Sequence, residues 1–259
     1  MARLLVKKQQ KQFIPELERE IVVGKSARYF VGDSTKPFST LHGTIQPSEL
    51  ERPDGSEIHT DNGKLFTIFS PSFIDIFKRI KRLPQVIPLK DIGFILAECG
   101  VGPETTAVDS GTGSGALACM LARVCKKVTS YDIEDEHIFI AQQNKQRLGL
   151  DNLSIKKGDF TKGVEERDCN LVTLDLPAPW EGIESAKGSL SIGGFLVSYS
   201  PSIPQSIDMA NALLAREDFL LIKTAEIMER EWEIDGRKVR PKNKAMIHSG
   251  FLTVARRIQ

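Results

Sequence analysis

The chain has 259 residues, 41% of them apolar and 27% charged, with a formal net charge of +1. At roughly 150 residues per domain this is one large domain, or one with a small companion. The composition excludes collagen-like and low-complexity chains, and no run approaches the roughly 18 apolar residues of a membrane span. The basic start MARLLVKKQQKQF leads into no apolar segment of signal-peptide length, and the four cysteines show no C-x-x-C spacing. These features argue against a zinc site or a disulfide scaffold, and the expectation is a metal-free cytoplasmic protein in a reducing compartment.

No internal repeat is visible. Residues 1–70 read as short β runs broken by turns: ARYFVGD and HGTIQPSEL end in polar residues, and ERPDGSE and HTDNGK carry turn signals. This predicts a small N-terminal all-β domain over 1–70 and a second domain over 71–259. SPSFIDIFKRIKRL, with a serine cap and apolar Phe73, Ile76, Phe77 and Ile80, predicts a helix, and LKDIGFILAECG another. After Pro103 strands and helices alternate: TTAVDSG, ALACMLARV, KVTSYDI, DEHIFIAQQNKQRLGL, NLSIKKGD, NLVTLDLP, GGFLVSYSP and SIDMANALLARE. FLLIKTAEIMEREWEI and SGFLTVARRI then close the chain as two long strands, an antiparallel edge. Alternating elements predict an α/β fold, a doubly wound Rossmann-like sheet covered on both faces.

The strongest local signal is TAVDSGTGSGALACML, where a β-branched strand runs through Asp109-Ser110-Gly111-Thr112-Gly113-Ser114-Gly115 into a helix. Glycines permit the tight turn and a close ligand approach, and the helix start offers N–H groups. The dinucleotide fingerprint needs G-x-G-x-x-G; here the third glycine comes one residue early, which favours an adenosyl ligand without a pyrophosphate. The next strand ends in Asp132, 21 residues after Gly111, where a carboxylate accepts from ribose hydroxyls, or else serves as an ordinary turn cap. Asp159 ends the third strand, where a carboxylate could accept from an adenine amino group or serve as an ordinary strand-end residue. LVTLDLPAPW places Asp175 at the C-terminal end of the fourth strand, followed by two prolines and Trp180. A carboxylate beside a rigid turn and an aromatic suits an unpaired base; the alternative is a helix cap.

Together D-S-G-T-G-S-G, the Y-D strand end, G-D-F and D-L-P-A-P-W resemble class I S-adenosylmethionine-dependent methyltransferases, and more specifically the tRNA (adenine-N1)-methyltransferase family that modifies the T loop. FSTLHGTI and GKLFTIFSPSFIDIFKRIKRLPQVIPLKDIGFIL resemble the family's N-terminal β domain and linking run, and VSYSPSIPQ and IHSGFLTVAR resemble later segments, so the similarity covers most of the chain, about Arg28 to Arg257. The resemblance implies S-adenosyl-L-methionine as cofactor, tRNA as partner and a homotetramer. It implies that Asp109 and Gly111, Thr112, Gly113, Ser114 and Gly115 line the cofactor, that Asp132 holds its ribose hydroxyls and that His137 also borders it. Asp159 and Phe160 would flank the adenine and Gln85 would close the pocket. Asp175 would be the catalytic acid residue at the target base, with Tyr199 positioning that base. Asp132 stands where Glu is more usual in the family. A small-molecule or protein methyltransferase, a non-catalytic RNA-binding subunit and a nicotinamide dehydrogenase are the rival readings.

The near-neutral total conceals a distribution. Residues 1–30 sum to +4, residues 78–90 to +5 and residues 231–259 to +4, whereas residues 100–190 sum to −4. Ordinary solvated charge explains any one segment; three basic segments around an acidic core suit a polyanion gripped about the site.

Overall fold

The computed structural model describes residues 1–243 and 248–259, and it divides into two units, Met1–Arg79 and Ile80–Gln259. Lys244 and Ile247, which belong to the basic run and the closing motif of the sequence, lie outside the described residues.

The first unit contains β1 (Arg3–Lys7), β2 (Gln10–Ile14), β3 (Arg19–Gly24), β4 (Ala27–Val31), β5 (Phe38–Thr40), β6 (Gly43–Ile45), α1 (Pro47–Leu50), β7 (Glu57–His59), β8 (Leu65–Phe69) and α2 (Phe73–Phe77). Strands β4-β1-β8-β7 form an antiparallel sheet, and β2–β3 and β5–β6 are separate hairpins. Leu5, Val31, Ile45, Leu50, Ile58, Phe66 and Ile68 make its core. Pro47 at a helix start turns QPSEL into the short α1 rather than extending a strand. Helix α2 starts as its sequence predicts, on a Ser72/Asp75 capping box, but ends at Phe77, well short of the expected fourteen-residue helix. The unit boundary falls nine residues later than the expected 70/71 division. Helix α2 is tied to the β unit by Arg28 and Asp75 at 4.0 Å, and the Arg79 guanidinium lies 4.7 Å over the Phe30 ring.

The second unit contains α3 (Leu89–Glu98), β9 (Thr106–Ser110), α4 (Ala116–Val124), β10 (Lys127–Asp132), α5 (Asp135–Leu148), β11 (Leu153–Lys157), β12 (Cys169–Leu174), α6 (Ile183–Ser189), β13 (Leu190–Ser200), α7 (Ile203–Leu214), β14 (Phe219–Glu226), β15 (Trp232–Asp235), β16 (Lys238–Pro241) and β17 (Phe251–Arg257). Seven strands pair in the order β11-β10-β9-β12-β13-β17-β14. The first five are parallel, and β17 runs antiparallel between β13 and β14. Val108, Val172, Leu196 and Ala255 are fully buried in its central strands, the apolar content expected of a sheet covered on both faces. FLLIKTAEIMEREWEI, expected as one strand, is two: β14 stops at Glu226 and β15 pairs instead with β16 across the Gly236 turn. Between them Met228, Glu229, Arg230 and Glu231 are all exposed, so the run has no buried face to continue along the sheet. Among the described residues no helix is long and apolar enough to cross a membrane, and all four cysteines are free.

Strand order reverses about β9, with β10 and β11 on one side and β12 and β13 on the other. Open α/β sheets bind ligands at such a switch point, outside the carboxyl ends of the strands. Ser110, Asp132 and Asp175 all lie at that edge.

Candidate active site

The glycine turn after β9 is pinned by β10. The N–H groups of Gly111 and Thr112 donate to the Tyr131 carbonyl at 2.9 and 3.2 Å, and the Gly113 N–H donates to Asp132 Oδ2 at 2.9 Å. These three amides of the turn are therefore engaged within the protein, and its glycines present a surface free of side chains. Gly111 has φ +86°, and a Cβ there would lie 2.0 Å from the Asp175 carbonyl oxygen. Gly115, at φ +76°, caps α4; a Cβ there would lie 3.0 Å from Ala141 Cβ of α5. Only glycine fits either place.

A cavity is lined by Gly111 to Ser114, by Pro84, Gln85, Val86 and Ile87, and by Asp175. Gln85 has φ +63°, a left-handed conformation that is strained for a residue with a side chain. The segment is held by Asn144 of α5, whose side-chain amide exchanges two hydrogen bonds with the Lys81 backbone, at 2.9 and 2.8 Å, and donates to the Ser114 carbonyl at 2.8 Å. Asn144 is 2% exposed. It was missed from sequence, although a polar residue on the buried face of an amphipathic helix is the signal that would have found it.

Asp132 is buried at the end of β10. Its Oδ1 accepts from the Glu134 N–H, and both its oxygens lie 3.2 Å from His137 Nδ1 in the first turn of α5. Asp132 and His137 thus lie together beside the glycine turn, though neither lines the cavity.

Asp109 does not line the cavity. It is 1% exposed, and its oxygens accept from Ser130 Oγ at 2.6 Å and Thr173 Oγ1 at 2.7 Å on the two neighbouring strands. Burial pushes its carboxyl up to about 6, with the Asp132 charge adding and the two hydroxyl bonds opposing. Asp109 is therefore a brace beneath the turn, which corrects its expected place as a direct cofactor contact. Phe160 is corrected likewise: the residue is 2% exposed, with its ring in the core 6.5 Å from Tyr131, so its side chain does not face the cavity. Asp159, outside the cavity, caps its own short helical turn by accepting from Thr161 N–H and Oγ1 at 3.1 and 2.6 Å, and pairs with Lys162 at 3.3 Å. The Thr161 hydroxyl holds the Asp159 carboxyl below its usual range.

Asp175 is the outstanding group. Its N–H donates to the Ser110 carbonyl at 2.8 Å, fixing the strand end, and its carboxyl is pushed up to about 7, by burial first and then by the charges of Asp109 and Asp132. Tyr199, 9% exposed in β13, donates its hydroxyl to the Ser249 carbonyl at 2.6 Å. Burial raises that phenol to about 12, and the charges of Asp91 and Asp175 add to the rise. A larger cavity, about 340 Å³, lies at the opposite edge of the sheet against Asn170, Gly193 and Arg256, with neither the glycine turn nor the acid group.

A sheet of this order, with a glycine turn after its central strand and an acid at the end of the next, defines a class I S-adenosylmethionine-dependent methyltransferase. Residues 78–249 match the family described as "tRNA methyltransferase complex GCD14 subunit". The chain is 34% identical to the tRNA (adenine(57)-N(1)/adenine(58)-N(1))-methyltransferase TrmI of Methanocaldococcus jannaschii, over 91% of this chain and 93% of that one. It belongs to this tRNA methyltransferase family. Among solved structures, an S-adenosylmethionine-dependent O-methyltransferase from Thermotoga maritima superimposes with a TM-score of 0.82 and 28% identity, covering 99% of this chain and 93% of that one. The tRNA (m1A58) methyltransferase TrmI of Aquifex aeolicus does so with a TM-score of 0.78 and 22% identity, covering 99% and 97%. The acceptors named for the two differ, so the choice of acceptor rests on the site.

Proposed function

We propose that this protein transfers a methyl group from S-adenosylmethionine to N1 of adenine 58 in the T loop of tRNA, acting in the cytoplasm. The observation that carries the reading is the Asp175 carboxyl, which lines the cavity beside the side-chain-free glycine turn. The donor set fits the cofactor: Asp132 offers carboxylate oxygens to the ribose, Asp159 and the Phe160 main chain offer polar contacts to the adenine, and Gln85 covers the opening. When bound, S-adenosylmethionine supplies an electrophilic methyl group on a positively charged sulfur.

Adenine N1 carries a lone pair, so the protein need remove no proton before attack. What it must supply is orientation and charge. Asp175 accepts a hydrogen bond from the exocyclic N6 of the target and faces the positive charge that develops on the ring. Preorganised groups of this kind contribute about 3–4 kcal/mol, and alignment of the reactants contributes more, roughly 7–11 kcal/mol at the limit. Tyr199 borders the base. The target edge is hidden in a stacked loop, so the base must be extruded at a cost of a few kcal/mol, offset by contacts from basic side chains to phosphates. On the β15–β16 hairpin Arg240 and Lys242 are paired with Glu233 and Glu231, which tempers the basic run read from sequence. Arg237 and Lys238 at its turn are the phosphate contacts we assign there.

A homotetramer accompanies this reading. Edge strand β14 exposes Leu220 and Ile222, and the hairpin exposes Trp232, Ile234 and Val239, apolar surface of the kind that partner subunits cover. Light scattering gives the assembly. The decisive assay incubates the protein with labelled S-adenosylmethionine and unmodified tRNA transcript. The expected product is 1-methyladenosine, and primer-extension stops separate position 58 from 57. Label in protein or small molecules, or an O-methylated nucleoside, overturns the proposal.

A further inference from the structure

The L-K-D sequence that opens α3 has no part in the chemistry above, yet it holds a buried ion pair. The Lys90 side chain is 6% exposed and that of Asp91 is fully buried, 2.8 Å apart. Lys90 Nζ also donates to Ser249 Oγ and to the Ile227 carbonyl, each at 2.5 Å, which satisfies all three ammonium protons. Ser249 Oγ in turn donates to Asp91 Oδ2 at 2.6 Å, and the carbonyl of the same Ser249 accepts the Tyr199 hydroxyl at 2.6 Å. Gly250 presses on the Tyr199 ring so closely that a Cβ there would lie 2.5 Å from Cζ. Ile227 and Ser249 are the two ends of the excursion that carries the β15–β16 hairpin, and both return to one ammonium group.

We propose that Lys90, Asp91 and Ser249 form a positioning device for Tyr199, clamping the base of the hairpin excursion so that the Ser249 carbonyl fixes the phenol beside Asp175. The proposal rests on the part assigned to Tyr199 above. A buried ion pair is a weak source of stability, because desolvation offsets the attraction, and apolar replacements of similar volume are often neutral or stabilising. Such a closed network fixes geometry, in this case the register of the Ser249 carbonyl on the Tyr199 hydroxyl.

The full-length chain carrying Lys90→Met and Asp91→Leu together tests this, with Ser249→Ala as a milder variant that removes a single hydroxyl. Both are expected to keep the wild-type melting temperature within a few degrees and the wild-type affinity for S-adenosylmethionine. Turnover on tRNA is expected to fall roughly ten- to hundredfold, the cost of a displacement near 1 Å. In spectra of protein labelled at tyrosine 13Cζ, the resonance assigned by Tyr199→Phe shifts or broadens in both variants. In a Tyr199→Phe background the same substitutions cause no further loss, since coupled residues are not additive. Wild-type turnover in the folded variants, an unmoved Tyr199 resonance, or losses that multiply with Tyr199→Phe would each overturn the proposal. If Tyr199→Phe alone turns over like wild type while the resonance still moves, the part assigned to Tyr199 is what fails, and the functional claim goes with it.

Discussion

Gly111→Ala strikes the point where the cofactor turn meets the acid group. Gly111 sits at φ +86°, and the added Cβ would lie 2.0 Å from the Asp175 carbonyl oxygen and 2.9 Å from its carbon. Contacts under 3.0 Å are not tolerated, so the strand end must retreat by about 1 Å, and the 2.8 Å bond from the Asp175 N–H to the Ser110 carbonyl moves with it. A left-handed alanine costs about 1–2 kcal/mol and a weakened buried hydrogen bond about 1 kcal/mol more. Together that is about 2–3 kcal/mol, or a fall in melting temperature of roughly 5–10 °C for a chain of this size. A 1 Å displacement of Asp175 costs roughly a hundredfold in turnover. Differential scanning calorimetry and single-turnover methylation of tRNA measure the two effects. A variant that melts and turns over like wild type would refute the steric reasoning.

Asp175→Ala should lower single-turnover methylation roughly a hundred- to thousandfold while calorimetry still detects cofactor binding; loss of binding instead would move Asp175 into the cofactor site. Since the reading needs Asp175 ionised and its carboxyl is pushed up to about 7, kcat/KM should rise with pH through that region, and Asp175→Asn should remove the rise along with most of the rate. The same raised value fixes a sign for stability. Between about 4 and 7 the folded chain keeps protons on Asp175 that the unfolded chain releases, so stability falls as pH rises through that window. Asp175→Asn should therefore melt higher than wild type at pH 8 and like wild type at pH 4; equal melting at both values would show no such burden. Asn144→Ala removes three hydrogen bonds to backbone and should loosen the Pro84–Ile87 segment, seen as a rise of tenfold or more in the cofactor dissociation constant with faster amide exchange over residues 81–87.

Much of the second unit was legible because its strands and helices alternate with clean periodicity: ALACMLARV is α4 residue for residue, and the strand ends place Asp132 and Asp175 at one edge. Positions along the chain say where a carboxylate sits on a strand, not which way its oxygens are spent. Asp109 and Asp159 look equivalent in sequence, yet one lies between hydroxyls of two flanking strands and the other caps its own turn. The contacts that decide this are long-range, as from Thr173 to Asp109 or from Lys90 to Ser249, and no local pattern encodes them. The overlong helix after Ser72 fails for a related reason: the apolar spacing continues to Ile80, but the Lys81 backbone is taken by Asn144 instead of a helical partner.

Strand β17 is made after β14 yet lies inside it, against β13. During synthesis β13 and β14 therefore leave the ribosome with no partner between them, each offering unpaired backbone along an open edge. The residues just before β17, Ser249 and Gly250, complete the surroundings of Tyr199 as that strand docks. A chain interrupted before β17 would hold its glycine turn, Asp132 and Asp175 but leave the Tyr199 ring and hydroxyl without the packing that the last strand brings. The surroundings of Tyr199 thus arrive with the last strand of the sheet, and an unfinished chain is born without them.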